Sequence, residues 1–476
     1  MLPQSDFLQL PPELCVLVMT YLETPRDLFA FVSTAKPIQQ IFQANRAAVL
    51  EGVLRNAIPG ENFCIAVAAC AASQTSKLWW ARSSATIVEE SWDRFRKNFP
   101  RGYALDSSMC DWNLLVSLSK LWWISDYFIT RFEQDALTFA ASNISQQSTR
   151  SRTRSSEIQR LQRAFLRFEI YRRITPESMG RSRDMPDSME TRILDFFHWF
   201  PPWEREEVLS VQEFLVMFVK NMCRRLGDYM VLEISNIAKD MAAKSEASNG
   251  AFERESIEDI EAELDLGSLD VFQLNSITRR RFQYAVARGL PFIRWLADLN
   301  SCDQIDAVVR HSTGYCSASF FERLWYMRSQ LNAFDTQVGW LESASTGALK
   351  DPNQGWIWAK QHGLTTDVNS SLLIRYNLRR MGYVFWGAAR LHDDWRLQKI
   401  LPSMLELPQR SRDDNDRDWL EEPGMEERFQ DIPIPKGAFR DIEARLKPSD
   451  EMQKKIENGY PTPFSDKEAE LFGIEY

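Results

Sequence analysis

Apolar residues recur along most of this chain every three or four positions, the spacing that places side chains on one face of an α-helix. Alternating apolar and polar runs bounded by Asn-Gly or Asp-Gly turns, which would indicate strands, are almost absent. The pattern therefore predicts an all-α fold.

The first predicted unit, residues 1–58, contains three short helices. The first helix begins at Pro11-Pro12, where proline costs no needed hydrogen-bond donor. It is apolar nearly all round: one face carries Leu14, Leu17, Val18, Tyr21 and Leu22, and the rest is covered by Cys15, Val16 and Met19. Such a helix requires apolar contact on two sides.

Capping residues mark the start of the second helix of this unit. Thr24 is its predicted N-cap and Pro25 lies in its first turn. Leu28, Phe31 and Val32 form its predicted inner face. The third helix begins around Lys36-Pro37 and carries Ile38, Ile41, Phe42, Val49 and Val53 at helical spacing.

Residues 61–401 form a predicted helical body interrupted by polar loops near 143–156, 176–188 and 242–256. The last strong helix pattern in this body spans 372–401, with a flexure expected near Gly387. Residues 402–476 hold eight of the 21 prolines. Proline at that density prevents long helices, so the pattern predicts a mostly irregular C-terminal tail.

The net charge and the apolar segments of the chain indicate which kinds of partner and which cellular compartment to expect. The 476 residues carry a formal net charge of −9, which argues against nucleic-acid binding. The start of the chain lacks the basic and apolar segments of a secretory signal, and the apolar run at 63–72 is too short to cross a bilayer. We therefore expect an intracellular protein, cytoplasmic or nuclear, without a membrane partner.

Catalytic and metal-binding signatures are missing from the sequence. Neither a phosphate-binding loop nor a dinucleotide fingerprint, zinc-protease helix or serine-hydrolase elbow occurs. The seven cysteines are scattered without a CxxC pair. We predict no enzyme activity, no cofactor and no metal, although an active site assembled from distant residues remains an alternative.

Two groups of residues in the body are candidates for partner binding. Trp356 and Trp358 lie in or beside a predicted loop, where exposed aromatic rings can form binding hot spots. Arg279, Arg280 and Arg281 could bind phosphate or an acidic peptide, and Arg379-Arg380 could extend that cluster.

The first helix has more apolar surface than its own small unit can cover, because a unit of this size buries only a modest fraction of its surface. Either later helices of the same chain cover the remainder, or a partner protein does.

The residues of this unit resemble a known family. Leu10-Pro11-Pro12-Glu13-Leu14, followed by Val18, Tyr21-Leu22, Asp27-Leu28 and Val32-Ser33, resembles the F-box in the divergent form common in fungal proteins. Thr34-Ala35-Lys36-Pro37 departs from the family, which often has basic residues and a tryptophan there.

The resemblance implies a substrate-recruiting subunit of a cullin-RING ubiquitin ligase. Its F-box would bind a Skp-type adaptor, and the helical body would bind an unidentified protein substrate. The positions that match the family's adaptor-contacting pattern are Leu10, Pro11, Leu14, Val18, Leu22, Leu28 and Val32. The alternative is a helical interaction scaffold or regulator with no role in ubiquitination.

Overall fold

The computed structural model describes residues 10–80, 111–143, 153–174, 196–247, 282–283, 285–299, 353–361, 377–387 and 390–391. Within these ranges every regular element is helical, which confirms the predicted all-α fold. The main helices are α1 (Pro12–Thr20), α2 (Pro25–Val32), α3 (Lys36–Ala57), α4 (Glu61–Trp80), α5 (Trp112–Asn143), α6 (Ser155–Ile174), α7 (Pro202–Ala247), α8 (Leu290–Asp298) and α9 (Gln354–Gln361). None of the described helices is both long and apolar enough to cross a membrane.

The chain divides into two compact units, and the division falls within α5. Unit 1 contains the described residues 10–80, 111–134 and 153–174, and unit 2 contains the remaining described residues. The three helices predicted within residues 1–58 therefore share a compact unit with α4, α6 and most of α5.

The helix starts of α1 and α2 agree with the sequence. Pro11 precedes α1, and Pro12 is its first helical residue. At α2, the Thr24 hydroxyl accepts a hydrogen bond from the Asp27 backbone N–H at 3.1 Å and donates one to the Asp27 carboxylate at 2.6 Å. Thr24 is thus the N-cap, as predicted, because its oxygen satisfies an N–H that has no partner within the helix.

Replacing this N-cap gives a testable stability effect. We expect Thr24→Ala to destabilise α2 by about 1 kcal/mol. Thr34→Ala, at the other end of α2, removes only a hydroxyl that donates to the Phe31 carbonyl and should cost less than about 0.5 kcal/mol. Hydrogen exchange of the amides of residues 26–32 measures both variants, and equal acceleration in the two would contradict the capping role.

Helices α1 and α2 both pack on α3. The shared core contains the buried residues Cys15, Met19, Leu28, Val32, Ile38, Phe42, Val49 and Val53. The inner face predicted for α2 is confirmed at Leu28 and Val32, whereas Phe31 is only half-buried.

Helices α4, α5 and α6 complete unit 1. The buried Asn62 side chain of α4 donates to the Gln159 carbonyl and the Gln162 side chain of α6, at 2.9 and 3.0 Å. On another side of α6, Phe165 packs against Phe128 and Phe132 of α5. Helix α6 is therefore held in the core by polar bonds to α4 and by aromatic contacts to α5.

In unit 2, the segment 377–387 and helix α9 pack together beside the start of α7. The Arg379 guanidinium donates two hydrogen bonds to the Glu206 carboxylate, at 2.7 and 2.9 Å. The buried Asn353 side chain caps α9 by accepting from the Trp356 N–H at 3.0 Å, and it donates to the Val384 carbonyl. Asn353 is buried and the Arg379–Glu206 pair is partly buried, and all three side chains have partners, which is the condition for a stable polar network.

One predicted boundary in unit 2 is wrong, and one predicted helix is interrupted. Helix α7 continues to Ala247, into the polar gap predicted at 242–256, because its last residues include alanines, a lysine and a glutamate that favour helix despite their polarity. Within the helix predicted over 372–401, residues 377–380 are helical, 381–387 are not, and 390–391 are helical again, so the interruption begins a few residues before the flexure expected near Gly387. Gly382 has a φ of 66°, the left-handed conformation that terminates helices.

Candidate functional site

One exposed apolar surface lies on α1 and its C-cap. Leu14, Leu17, Val18 and Tyr21, hereafter the α1 face, are exposed to 45%, 50%, 37% and 75%. Their spacing of three and four positions places them on the same side of the helix. The only charged residues between Pro11 and Thr24 are Glu13 and Glu23, so the middle of this surface carries no charge.

The opposite side of α1 fixes the helix to the protein. Cys15 and Met19 are buried, and α1 packs on α3 through them. At the end of α1, Gly52 of α3 lies so close to Thr20 that an added Cβ atom would be only 3.0 Å from the Thr20 Cβ atom. Helix α1 is thus apolar on two sides, of which one is used within the protein.

Helix α5 contacts α2 and α3, the two helices that pack with α1. The Arg26 guanidinium of α2 lies 4.8 Å from the centre of the Trp123 ring and 3.6 Å from the Asp126 carboxylate. The Arg46 guanidinium of α3 lies 4.4 Å from the centre of the Trp112 ring. Burial raises the pKa of Asp126, an effect that Arg26 opposes. The later helix therefore contacts α2 and α3, while the α1 face remains exposed.

The positions that match the F-box fall into two groups. Leu14, Val18 and Pro11 are exposed, and Leu10 and Leu22 are half-buried beside them. Leu28 and Val32, in contrast, are fully buried in the core of α1–α3. In this structure these two predicted adaptor contacts are core residues, with almost no exposed surface to offer a partner.

The two tryptophan candidates in the body do not form an exposed site. Trp356 and Trp358 lie in helix α9 and not in a loop, and they are only 5% and 3% exposed. Trp356 packs edge-on against Trp203. The expectation that these rings are exposed for recognition is therefore wrong.

The structure describes only two of the five arginine candidates. Arg279, Arg280 and Arg281 lie outside the described residues. Arg379, which was expected to extend them, is paired with Glu206. Arg380 lies over the Phe139 ring, with its guanidinium carbon 4.0 Å from the ring centre.

Two residues of the α1 face, Leu17 and Tyr21, were missing from the predicted adaptor contacts. Both were on the predicted apolar face of α1, and Tyr21 is part of the segment that resembles the F-box, but neither was among the adaptor contacts taken from the family. The signal that identifies them is spacing: they complete the series i, i+3, i+4, i+7 that begins at Leu14. Tyr21 is the most exposed residue of the series.

Within the described ranges, no group of His, Cys, Asp and Glu side chains could hold a metal ion. Burial raises the pKa of the Cys70 thiol to about 11, against the opposing effect of Arg173, and raises that of Cys223 to about 12. Both thiols are therefore protonated near neutral pH, the form that reacts poorly as a nucleophile.

Alkylation of the native protein tests this burial. At pH 8 we expect iodoacetamide to modify the half-buried Cys64 at least about tenfold faster than Cys70 or Cys223, because the reagent can reach its sulfur more easily than the two buried ones. Peptide mass spectrometry after timed quenching gives the rates, and labelling in urea should make them similar. Equal rates in the native protein would contradict the packing of α4 and α7.

Comparison of the chain with protein-family models, curated proteins and solved structures finds no match.

Proposed function

We propose that this protein recruits another protein to a cullin-RING ubiquitin ligase, and that its α1 face docks on a Skp-type adaptor. The observation that carries the proposal is the exposure of Leu14, Leu17, Val18 and Tyr21 on the helix that follows Leu10-Pro11, where the sequence resembles an F-box. A folded protein seldom leaves several neighbouring apolar side chains on one helix exposed unless they meet a partner.

The packing of α1 supports this role. The side of α1 occupied by Cys15 and Met19 is held against α3, so the helix has a fixed orientation before any partner arrives. A rigid helix offers its apolar side chains to a groove without the entropic cost of folding on binding.

Burial of this surface can supply part of the free energy of adaptor binding, which is about 8 kcal/mol for a Kd of 1 μM. Covering a half-exposed leucine or tyrosine contributes about 1 kcal/mol, half of the gain from full burial. The α1 face would thus provide about 4 kcal/mol before polar contacts are added, and neighbouring contacts by Leu10, Pro11 and Leu22 would increase it.

In this proposal the protein itself performs no bond chemistry. It would hold its target near the ligase and so raise the effective concentration of target lysines at the site of transfer. The rest of the chain outside the α1 face would bind that target. The alternative is a scaffold whose α1 face binds a protein unrelated to ubiquitination.

Calorimetric titration of the full chain with a purified Skp-type adaptor tests the proposal. We expect saturable binding with one adaptor per chain. The heat capacity change should be negative, since apolar surface is buried. An absence of binding at adaptor concentrations up to about 100 μM would contradict the proposal and favour the scaffold.

A further inference from the structure

The end of α1 is held by a side chain of α3 that the F-box resemblance does not include. The Asn56 amide nitrogen donates one hydrogen bond to the Thr20 carbonyl and another to the Leu22 carbonyl, both at 2.9 Å. Carbonyls at the end of a helix have no partner within the helix, so Asn56 supplies the bonds that these two lack.

Tyr21 lies between the two carbonyls that Asn56 holds. Its backbone is therefore fixed on both sides, although its side chain is 75% exposed and contributes the largest exposed fraction of the α1 face. We call these two Asn56 hydrogen bonds the clamp. Without the clamp the last turn of the nine-residue helix α1 would fray, because short helices gain little stability from their own hydrogen bonds.

Gly52 allows the clamp to form. It precedes Asn56 by four positions and thus lies on the same face of α3. Its lack of a side chain lets Thr20 approach, since a Cβ atom there would lie 3.2 Å from the Thr20 Cγ2 atom and 3.3 Å from the Thr20 carbonyl oxygen. Close approach at Gly52 and hydrogen bonding at Asn56 therefore act at the same end of α1.

We propose that Asn56 is a positioning residue for the α1 face: it touches no partner itself and orders the backbone that presents Tyr21. This inference rests on the proposed docking of the α1 face on a Skp-type adaptor. It adds that the affinity for the adaptor depends on an α3 side chain outside the contact surface.

The test compares two isosteric substitutions on the same helix. Asn56→Asp removes both donated bonds and places a carboxylate against two carbonyl oxygens. Asn45→Asp is the matched control, because the exposed Asn45 amide donates only to the Ile41 carbonyl within α3. We expect Asn56→Asp to raise the Kd for the adaptor about tenfold and Asn45→Asp to leave it within about twofold.

Hydrogen exchange supplies a second readout. In Asn56→Asp, amides of residues 14–23 should exchange faster while those of α4 and α6 keep their wild-type rates. Asn56→Gln, which retains an amide donor, should restore most of the affinity. Gly52→Val should weaken adaptor binding by an independent route, since its branched side chain would push Thr20 away from α3.

The outcomes separate this inference from the function on which it rests. Faster exchange with an unchanged Kd would show that Asn56 is only structural, and unchanged exchange with an unchanged Kd would overturn the clamp as well. Either result would leave adaptor binding intact. Failure of the wild-type chain to bind the adaptor would instead contradict the proposed function and the positioning role together.

Discussion

The double variant Leu14→Asp, Val18→Asp is expected to bind a Skp-type adaptor at least about 100-fold more weakly than the wild-type protein. Both side chains are exposed near the middle of the α1 face, so the change removes apolar contact and places two carboxylates where a partner would exclude water. The free protein should keep its fold, since neither residue belongs to the core. Calorimetric titration measures the affinity, and circular dichroism confirms the helical content.

Two controls separate docking from general surface effects. Ile158→Asp and Leu232→Asp introduce the same charge at other exposed apolar positions, on α6 and α7, and should leave the affinity unchanged. Leu28→Asp would be a misleading test, because Leu28 is fully buried and its loss would unfold the unit. Wild-type affinity in the Leu14→Asp, Val18→Asp variant would contradict docking through the α1 face.

Replacing Gly355 by alanine is expected to destabilise unit 2 by about 3 kcal/mol or more, the upper range for overpacking a core. Gly355 lies in the first turn of α9, directly against the backbone carbonyl of Tyr383, so an added methyl group would overlap that oxygen. Backbone atoms cannot rotate away as the end of a side chain can. Relief therefore requires α9 and the segment 377–387 to move apart, which would break the Asn353 hydrogen bonds.

Urea denaturation followed by tryptophan fluorescence measures this loss, because Trp356 and Trp358 are buried in α9. Gly60→Ala is the informative comparison. Gly60 has a φ of 61°, and no atom lies within 4 Å of an added Cβ. The Gly60→Ala variant therefore measures the cost of a positive φ in alanine, without any steric clash. We expect that variant to cost about 1 kcal/mol. A Gly355→Ala variant no less stable than Gly60→Ala would contradict the close packing of α9 on the Tyr383 backbone.

Local signals in the sequence were sufficient to predict where α2 and α3 begin and which side of α2 is buried. Thr24, Pro25 and Lys36-Pro37 mark the starts of α2 and α3 because capping and proline preferences act within a few residues. The inner face of α2 could be predicted at Leu28 and Val32, because the apolar residues of that helix are concentrated on one side.

Other features depended on contacts that the sequence does not display. Trp356-Ile357-Trp358 follows a proline and a glycine, which suggested a loop, yet Asn353 caps a helix there and Trp203 covers the first ring. Arg379 was a candidate because it could extend the arginine cluster at 279–281, and its pairing with Glu206 was not visible in the sequence. Trp203 and Glu206 each lie more than 100 residues from the side chain they contact, whereas the Asn353 cap is a local signal that the sequence analysis missed.

The sequence by itself determined that the chain is helical and that α1 has apolar residues on nearly all its sides, because periodicity and capping are local properties. Only the tertiary structure decided which side of α1 is buried. Cys15 and Met19 face α3, and Leu14, Leu17, Val18 and Tyr21 remain exposed. The physical reason is that an apolar pattern gives the preference of each residue for burial, whereas the helices that supply the covering surface are set by packing between distant segments.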